Sequence, residues 1–183
     1  MNPSTLRLAR HARPLAGLLL LGLLGACASM SGPGASAVGE LQATRGNATT
    51  GTVTFTEHGG KVRVQGEVRG LKPGAEHGFH VHEKGDCSSG DGMSTGGHFN
   101  PDGKAHGRHG HEAGHHAGDL PSLVADAQGV ARFRFETRAI RVSDAPNSVV
   151  GRGLIVHRDP DDYKTQPTGN AGPRLACAVI RRQ

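Results

Sequence analysis

Apolar and polar residues alternate over several short stretches of the chain, with the period of two that is typical of half-buried β-strands. The clearest alternation runs over 61–68, where Val62, Val64 and Val68 share one face. This pattern, or a short apolar run, also predicts strands over 52–56, 78–82, 124–127, 130–135, 149–157 and 175–180. Because no apolar repeat of helical period extends beyond a turn or two outside the N-terminal segment, the sequence predicts an all-β protein.

Glycine- and proline-containing turns separate the predicted strands, as at 58–60 and at 71–74. Many short strands with frequent turns favour a sandwich or barrel. Residues 83–123 carry no strand pattern and are rich in Gly, His, Asp and Ser, and a loop of this length usually has a function or a cross-link. With five Phe, one Tyr and no Trp, the core is lean, and a disulfide and bound metal would supplement it.

Residues 1–26 have the composition of a signal peptide. Arg7, Arg10 and Arg13 precede an apolar run at 15–24 that is too short to span a bilayer as a helix. The run ends in Leu24-Gly25-Ala26-Cys27, which is similar to the lipobox of bacterial lipoproteins and predicts a lipidated Cys27. A plain signal peptide with an incidental cysteine is the alternative. Residues 27–37 would then be the lipidated cysteine with a flexible tether, and 38–183 the folded domain.

Much of the basic charge belongs to the predicted signal peptide. The formal net charge is +5, and cleavage would remove three arginines and no acidic residue, which leaves +2. No Lys/Arg cluster or aromatic platform remains, so we predict no nucleic-acid partner. The predicted location is periplasmic, with the lipid anchor as the membrane attachment. Ala28 is not the aspartate that often retains lipoproteins at the inner membrane, which favours the outer membrane.

Cysteine usage is compatible with export. With Cys27 assigned to lipidation, Cys87 and Cys177 remain as one pair, and an exported protein favours a disulfide. Two buried free thiols are the alternative. A bridge would close a loop of about ninety residues and would stabilise the fold by roughly 4–5 kcal/mol on the chain-entropy account.

The histidines provide the candidate chemistry. His80 and His82 are residues i and i+2 of a predicted strand, so their side chains project from the same face. Four imidazoles suit a tetragonal copper(II) site, and three imidazoles with one carboxylate suit tetrahedral zinc. Both sites can form only if one histidine serves two metals. The downstream donors are His98, His106, His116, Asp119 and His157.

The segments around these donors closely resemble the copper/zinc superoxide dismutases. They are Gly78-Phe79-His80-Val81-His82, Gly97-His98-Phe99-Asn100-Pro101, His106-Gly107, His116-Ala117-Gly118-Asp119-Leu120, Gly151-Arg152-Gly153-Leu154-Ile155-Val156-His157 and Gly169-Asn170-Ala171-Gly172-Pro173-Arg174-Leu175-Ala176-Cys177. The resemblance covers residues 38–182. It implies an eight-stranded Greek-key β-barrel or sandwich, immunoglobulin-like in type, with a long metal-binding loop.

The resemblance also implies a role for each matching donor, with one copper ion and one zinc ion per subunit. The implied copper ligands are His80, His82, His98 and His157. The implied zinc ligands are His98, His106, His116 and Asp119. His98 would be shared, with one ring nitrogen facing each metal, because two cations can remove the proton that one leaves in place.

Two further residues match family positions close to the metals. Asp161 would connect His80 to His106 and fix the orientation of both rings. Its alternative role is that of a solvated acid in the turn 159–162. Arg174 matches the arginine that guides and hydrogen-bonds the anion beside copper, and it would be catalytic together with His98. The alternative is a surface arginine at the start of a strand.

The implied activity is the dismutation of the superoxide anion to dioxygen and hydrogen peroxide by alternate reduction and oxidation of copper. His98 would leave the copper on reduction and deliver a proton to the forming peroxide. A lipoprotein that buffers or delivers copper and zinc on the same fold is the alternative function, and a purely structural β-domain is a third. Arg174 favours the enzyme, because a buffer has no need of an anion guide. Whether the protein is a monomer or a homodimer stays open.

Three more histidines, His109, His111 and His115, lie in the long loop. We interpret them as solvated loop residues. An auxiliary copper or zinc site is the alternative.

Overall fold

The described part of the chain contains ten β-strands and one short 3-10 helix. In this computed structural model it comprises Met1, residues 34–111 and residues 114–183. The strands are β1 (Ser36–Ala43), β2 (Thr50–His58), β3 (Lys61–Arg69), β4 (Glu76–His77), β5 (Phe79–His82), β6 (Leu123–Val124), β7 (Ala131–Thr137), β8 (Gly153–His157), β9 (Arg174–Val179) and β10 (Arg181–Arg182). The 3-10 helix spans Met93–Thr95. No helix within these ranges is long and apolar enough to span a membrane.

Eight of the strands form one antiparallel sheet in the order β5-β8-β9-β1-β2-β3-β7, with β10 beside β1. The first three strands are neighbours both in sequence and in space, whereas β7, β8 and β9 pair with strands distant in sequence. Such crossovers are those of a Greek-key arrangement. β4 and β6 form a separate two-stranded ribbon. The all-β, Greek-key fold class predicted from the sequence is confirmed.

The core is built on one face of the sheet, to which alternate residues of β2 and β3 contribute. Val53, Phe55, Val62 and Val64 are fully buried, while the intervening residues of β3 at 61–65 are exposed. This is the alternation that the sequence predicts for a strand with one solvated face.

β5 and β8 differ from β3 because they are buried along their whole length. The two strands pair antiparallel, with Phe79 opposite Val156 and His82 opposite Gly153. Main-chain hydrogen bonds from Phe99 N to Val81 O (2.8 Å) and from Val81 N to the oxygen of residue 118 (2.9 Å) cover the other edge of β5 with the long loop. The loop therefore folds directly over the strand that carries the paired histidines.

Two predicted strands are shorter than their sequence patterns indicate. The strand predicted over 124–127 ends at Val124, because the Asp126 carboxylate accepts hydrogen bonds from the N–H groups of Gln128 and Val130 and closes a turn. The strand predicted over 149–157 begins only at residue 153. A hydrogen bond from Arg152 N to Val149 O (3.0 Å) closes a turn there, in which residue 151 has φ 79°.

At the N-terminus, β1 begins at Ser36, two residues inside the predicted tether 27–37. Ala37 is fully buried, so the folded domain includes it. The predicted signal peptide, the lipobox with Cys27 and residues 27–33 lie outside the described residues.

A disulfide between Cys87 and Cys177 joins the long loop to β9, as expected for an oxidised pair, and this excludes the two free thiols. The Cα atoms lie 6.0 Å apart, and Cys177 is buried at 4% exposure. The bridge spans 90 residues of sequence. It holds the first part of the loop, which has one short helix as its regular structure, against the sheet.

The double variant Cys87→Ser/Cys177→Ser is expected to lose about 2–5 kcal/mol of unfolding free energy, because the unfolded chain regains the freedom that a long closed loop removes. Urea unfolding of the metal-loaded protein measures this loss. The parent protein kept under oxidising conditions is the control. An unchanged unfolding midpoint would show that the bridge contributes nothing to stability.

Candidate metal centre

Four histidine rings meet where the long loop covers β5 and β8. His80 and His82 come from β5, His157 is the last residue of β8, and His98 belongs to the loop, which bridges to His82. One ring nitrogen of each lies within 4.8 Å of those of the others. All four residues are at most 7% exposed. We refer to His80, His82, His98 and His157 as the four-histidine group.

A second buried group shares His98 and adds His106, His116 and Asp119, again with donor atoms within 4.8 Å of one another. Oδ1 of Asp119 accepts a hydrogen bond from His98 Nδ1 at 2.8 Å and lies 3.1 and 3.3 Å from Nδ1 of the other two rings. The other carboxylate oxygen, Oδ2, accepts main-chain N–H groups of residues 107 and 116. The loop backbone therefore orients the carboxylate. We refer to this set as the Asp119 group.

In five of the six rings of the two groups, one nitrogen has a hydrogen-bond acceptor and the other has none. His82 Nδ1 donates to Gly96 O at 2.9 Å, and His157 Nδ1 donates to Gly172 O at 3.1 Å. Within the described ranges, the following buried nitrogens of the two groups have no hydrogen-bond partner: His80 Nδ1, His82 Nε2, His98 Nε2, His106 Nδ1, His116 Nδ1 and His157 Nε2. Buried polar atoms are rarely left without a partner, and unpaired nitrogens that converge on two points fit two bound cations.

Burial lowers the pKa values of three rings of the four-histidine group. Desolvation lowers the pKa of His82 and of His157 well below the ordinary histidine value. Burial also lowers the pKa of His98, to about 4, although the hydrogen bond to Asp119 opposes the shift. Neutral imidazoles are the form that binds metal, so the low pKa values of these three rings favour binding of a cation.

Asp161 connects the two groups. Its Oδ2 accepts a hydrogen bond from His80 Nε2 at 2.7 Å, and its Oδ1 accepts one from His106 Nε2 at 2.9 Å. Burial lowers the pKa of His106, but the carboxylates of Asp119 and Asp161 beside its ring outweigh this effect and raise the pKa to about 9. Burial likewise raises the pKa of Asp161, and the same two histidines reverse this and hold its pKa below the ordinary value. The solvated turn acid considered above does not fit a residue with 5% exposure.

Three residues that the sequence did not single out hold this bridge in place. Gln166 both accepts from His106 N (2.8 Å) and donates to His106 O (2.9 Å), and Tyr163 N donates to Asp161 Oδ1 at 2.7 Å. Gly169 has φ 65°, and any side chain there would clash with Asp161 and the His106 ring. None of these types is typical of a metal site, so spacing and composition gave no signal for them.

The variant Asp161→Asn is expected to weaken metal binding by roughly 10- to 100-fold at both groups, because an amide cannot accept hydrogen bonds from two ring N–H groups as a carboxylate does. Chelator competition, read separately for copper and zinc, measures the change. The exposed Asp102→Asn, which removes the same charge from a position in the long loop outside both groups, is the control and should leave both affinities unchanged. A loss confined to one metal would contradict the bridging role.

Arg174 is held beside the four-histidine group at the start of β9, where it pairs across the sheet with His157. Its guanidinium donates to Gly92 O, to Thr95 Oγ1 at 2.7 Å and to Gly96 O at 2.7 Å. These acceptors lie in the loop segment that the disulfide ties down. A guanidinium has five N–H groups, and three are used in these bonds, so two have no acceptor among the described residues.

A cavity of about 260 Å³ opens onto the four-histidine group. Arg174 lines it together with His82, His98 and His157. Burial lowers the pKa of Arg174, but the pKa of an arginine is so high that the guanidinium stays charged at neutral pH. The surface arginine considered above is therefore replaced by a fixed cation in the wall of the cavity, a suitable position for attracting a small anion.

Two buried donor groups joined by one histidine define a protein that binds two transition-metal ions at adjacent sites. The family model for copper/zinc superoxide dismutase matches residues 49–180. A Brassica juncea protein, superoxide dismutase (Cu-Zn) 2, is 49% identical over 140 residues, which are 73% of this chain and 90% of that relative. A crystal structure of the clock protein EA4 superposes with a TM-score of 0.74 at 41% identity, over 81% of this chain and 95% of the other.

The chain therefore belongs to the copper/zinc superoxide dismutase family. It is an enzyme of this class, with copper and zinc as its cofactors and superoxide as its substrate.

Proposed function

We propose that this chain is an exported, lipid-anchored superoxide dismutase in which the four-histidine group holds copper and the Asp119 group holds zinc. The observation that carries the assignment is the division of the ring nitrogens. In His80, His82 and His157, one ring nitrogen donates to a carboxylate or carbonyl oxygen at the edge of the four-histidine group. The other nitrogen of each ring faces the middle of the group and has no hydrogen-bond partner among the described residues. Four nitrogen donors suit copper(II), and three imidazoles with a carboxylate suit zinc.

When bound, copper supplies the one-electron redox chemistry by which one superoxide becomes dioxygen and a second becomes hydrogen peroxide. The protein contributes position, charge and protons. Arg174 attracts the anion into the cavity and orients it through the N–H groups that its loop contacts leave open. His98 belongs to the wall of the same cavity. With Nδ1 of this ring facing the zinc, we assign to Nε2 the uptake of one proton and its transfer to the reduced substrate, while solvent would supply the second proton that hydrogen peroxide needs.

His80 and His82 keep the donor geometry constant, because a hydrogen bond at one nitrogen fixes the orientation of each ring. His80 donates to Asp161 and His82 donates to Gly96 O, and both strand residues are 0% exposed. Asp119 is anchored by two main-chain N–H groups and orients the second group. Rigid donors of this kind keep the geometry around the cavity constant while the substrate enters and leaves.

Metal analysis combined with an activity assay tests the proposed function. The purified protein, loaded with both metals, is expected to contain one copper and one zinc per chain and to remove superoxide well above the rate of the same concentration of free copper. Protein that holds both metals but removes no superoxide above free copper would instead support a metal-buffering protein on the same fold.

The exported location rests on two features of the sequence and one of the fold. Residues 24–27 are similar to a lipobox, the run before them has signal-peptide composition, and a disulfide of the kind found in oxidising compartments joins Cys87 to Cys177. We propose a periplasmic enzyme anchored by lipid at Cys27, in the outer membrane.

Incorporation of labelled palmitate in bacteria that express the full chain tests the anchor. The parent protein should take up label and fractionate with the outer membrane. Cys27→Ala should lose the label and be released from the membrane fraction, whereas Cys87→Ser should keep the label. An unlabelled parent protein would contradict the anchor without affecting the proposed metal sites.

A further inference from the structure

His109 and His115, two of the additional histidines of the long loop, lie side by side. Their ring centroids are 5.0 Å apart, and their planes are inclined by 51°. Both residues are half-buried, so they differ from the solvated loop residues that we expected from the sequence. Neither belongs to the four-histidine group or to the Asp119 group.

Each of the two rings is anchored through Nδ1 to a main-chain carbonyl oxygen. His109 donates to Asp119 O at 3.0 Å, and His115 donates to His116 O at 2.6 Å. Because a carbonyl can only accept, Nδ1 carries a proton, and in the neutral ring Nε2 then has the lone pair that a metal ion needs. His82 and His157 in the four-histidine group are oriented in the same way, by carbonyl acceptors at Nδ1. This is the usual preparation of a histidine for metal binding.

The distance between the ring centroids of His109 and His115 also matches the centroid distances between histidines of one metal-binding group. Centroid distances within the four-histidine group and among the rings of the Asp119 group range from 4.0 to 6.3 Å. The 5.0 Å between His109 and His115 lies inside this range. Phe135 of β7 packs against the His109 ring at 5.8 Å and limits its movement.

We propose that His109 and His115 form a third metal site, which takes a divalent transition ion such as zinc or copper(II). Imidazole nitrogen suits both ions, and solvent can complete the coordination because the pair is only half-buried. Two protein donors bind more weakly than four, so the ion at this site exchanges readily. The carbonyl oxygens that fix the pair belong to two members of the Asp119 group, so the third site lies on the same loop as that group.

Calorimetric titration of zinc sulfate into the protein already loaded with copper and zinc tests the proposal. The parent protein should bind one additional zinc per chain, which gel filtration removes while the two resident metals stay. His109→Gln/His115→Gln should weaken this additional binding by at least tenfold. His58→Gln, which changes an exposed histidine at the end of β2, is the matched control and should bind like the parent.

A second measurement on the parent protein avoids any variant that fails to fold. The protein is loaded with copper and zinc, and its copper is then reduced. In nitrogen-15 spectra of this protein, zinc addition should shift the Nε2 signals of His109 and His115 and leave those of His58 in place. The proposal is overturned if the parent binds no additional zinc, or if these two signals do not move when it does. Neither result would bear on the metals of the two main groups.

Discussion

Replacing His98 by glutamine is expected to weaken the binding of copper and of zinc together, by at least about 100-fold each, and to abolish measurable superoxide removal. The reason is that His98 is the one residue common to both buried groups. Its Nδ1 lies 2.8 Å from Asp119 Oδ1, its Nε2 is unpartnered among the described residues, and the residue belongs to the lining of the cavity. A glutamine side chain has one nitrogen and one oxygen on the same terminal group and cannot face two cations from opposite sides.

Two matched variants separate this effect from simple damage to the site. His82→Gln removes a member of the four-histidine group alone and should weaken copper binding while most zinc affinity remains. His116→Gln removes a member of the Asp119 group alone and should do the reverse. Metal content after dialysis against graded chelator, measured for each variant, gives the comparison. If His98→Gln loses only one metal, the two groups are not joined as the structure indicates.

Replacing Arg174 by alanine is expected to lower kcat/KM for superoxide by about 10- to 100-fold while both metals remain bound. Arg174 touches none of the ring nitrogens that face the cations, but it lies in the wall of the cavity that leads to them. Between 162 and 169 the chain has Lys164 as its one basic residue, so Arg174 is the fixed cation at this cavity. Removing it takes away both the attraction of the anion and the N–H groups that orient it.

Arg174→Lys distinguishes these two contributions. Lysine keeps the charge but cannot reproduce the fork that donates to Gly92 O, Thr95 Oγ1 and Gly96 O together. We expect partial recovery of kcat/KM, with a steep dependence on salt, whereas the alanine variant should show a much weaker salt dependence. Arg134→Ala on the exposed side of β7 is the control for loss of a distant positive charge. Wild-type activity in Arg174→Ala would contradict the guiding role.

Period-two alternation predicted β2 and β3 correctly because one face of each strand is solvated, which keeps the polar positions distinct. β1 had no such pattern, since its first residues continue the small, polar composition of the segment before it and contribute glycine to the sheet. The short extent of β6 and β8 depends on the Asp126 side chain and on the turn at 151, which act against local apolar runs. Hydrophobic pattern alone does not contain that information.

The donors of both groups could be identified from the sequence because their chemistry resides in their side chains. What orients them could not, because much of it is backbone. Gly96 O accepts both from His82 and from Arg174, and Gly172 O accepts from His157. A glycine in a loop carries no sign that its carbonyl oxygen is needed. Long-range contacts such as that of Gln166 with His106, 60 residues apart, are equally invisible before the chain folds.

The assignment of each metal to its group is tested most directly by anomalous diffraction from crystals of the protein loaded with copper and zinc. Data collected on either side of the copper and zinc absorption edges locate each element separately. We expect a copper peak enclosed by His80, His82, His98 and His157, and a zinc peak enclosed by His98, His106, His116 and Asp119. The absence of either element from its group, an exchange of the two elements, or a His98 ring that contacts only one of them in crystals of the oxidised protein would contradict this assignment.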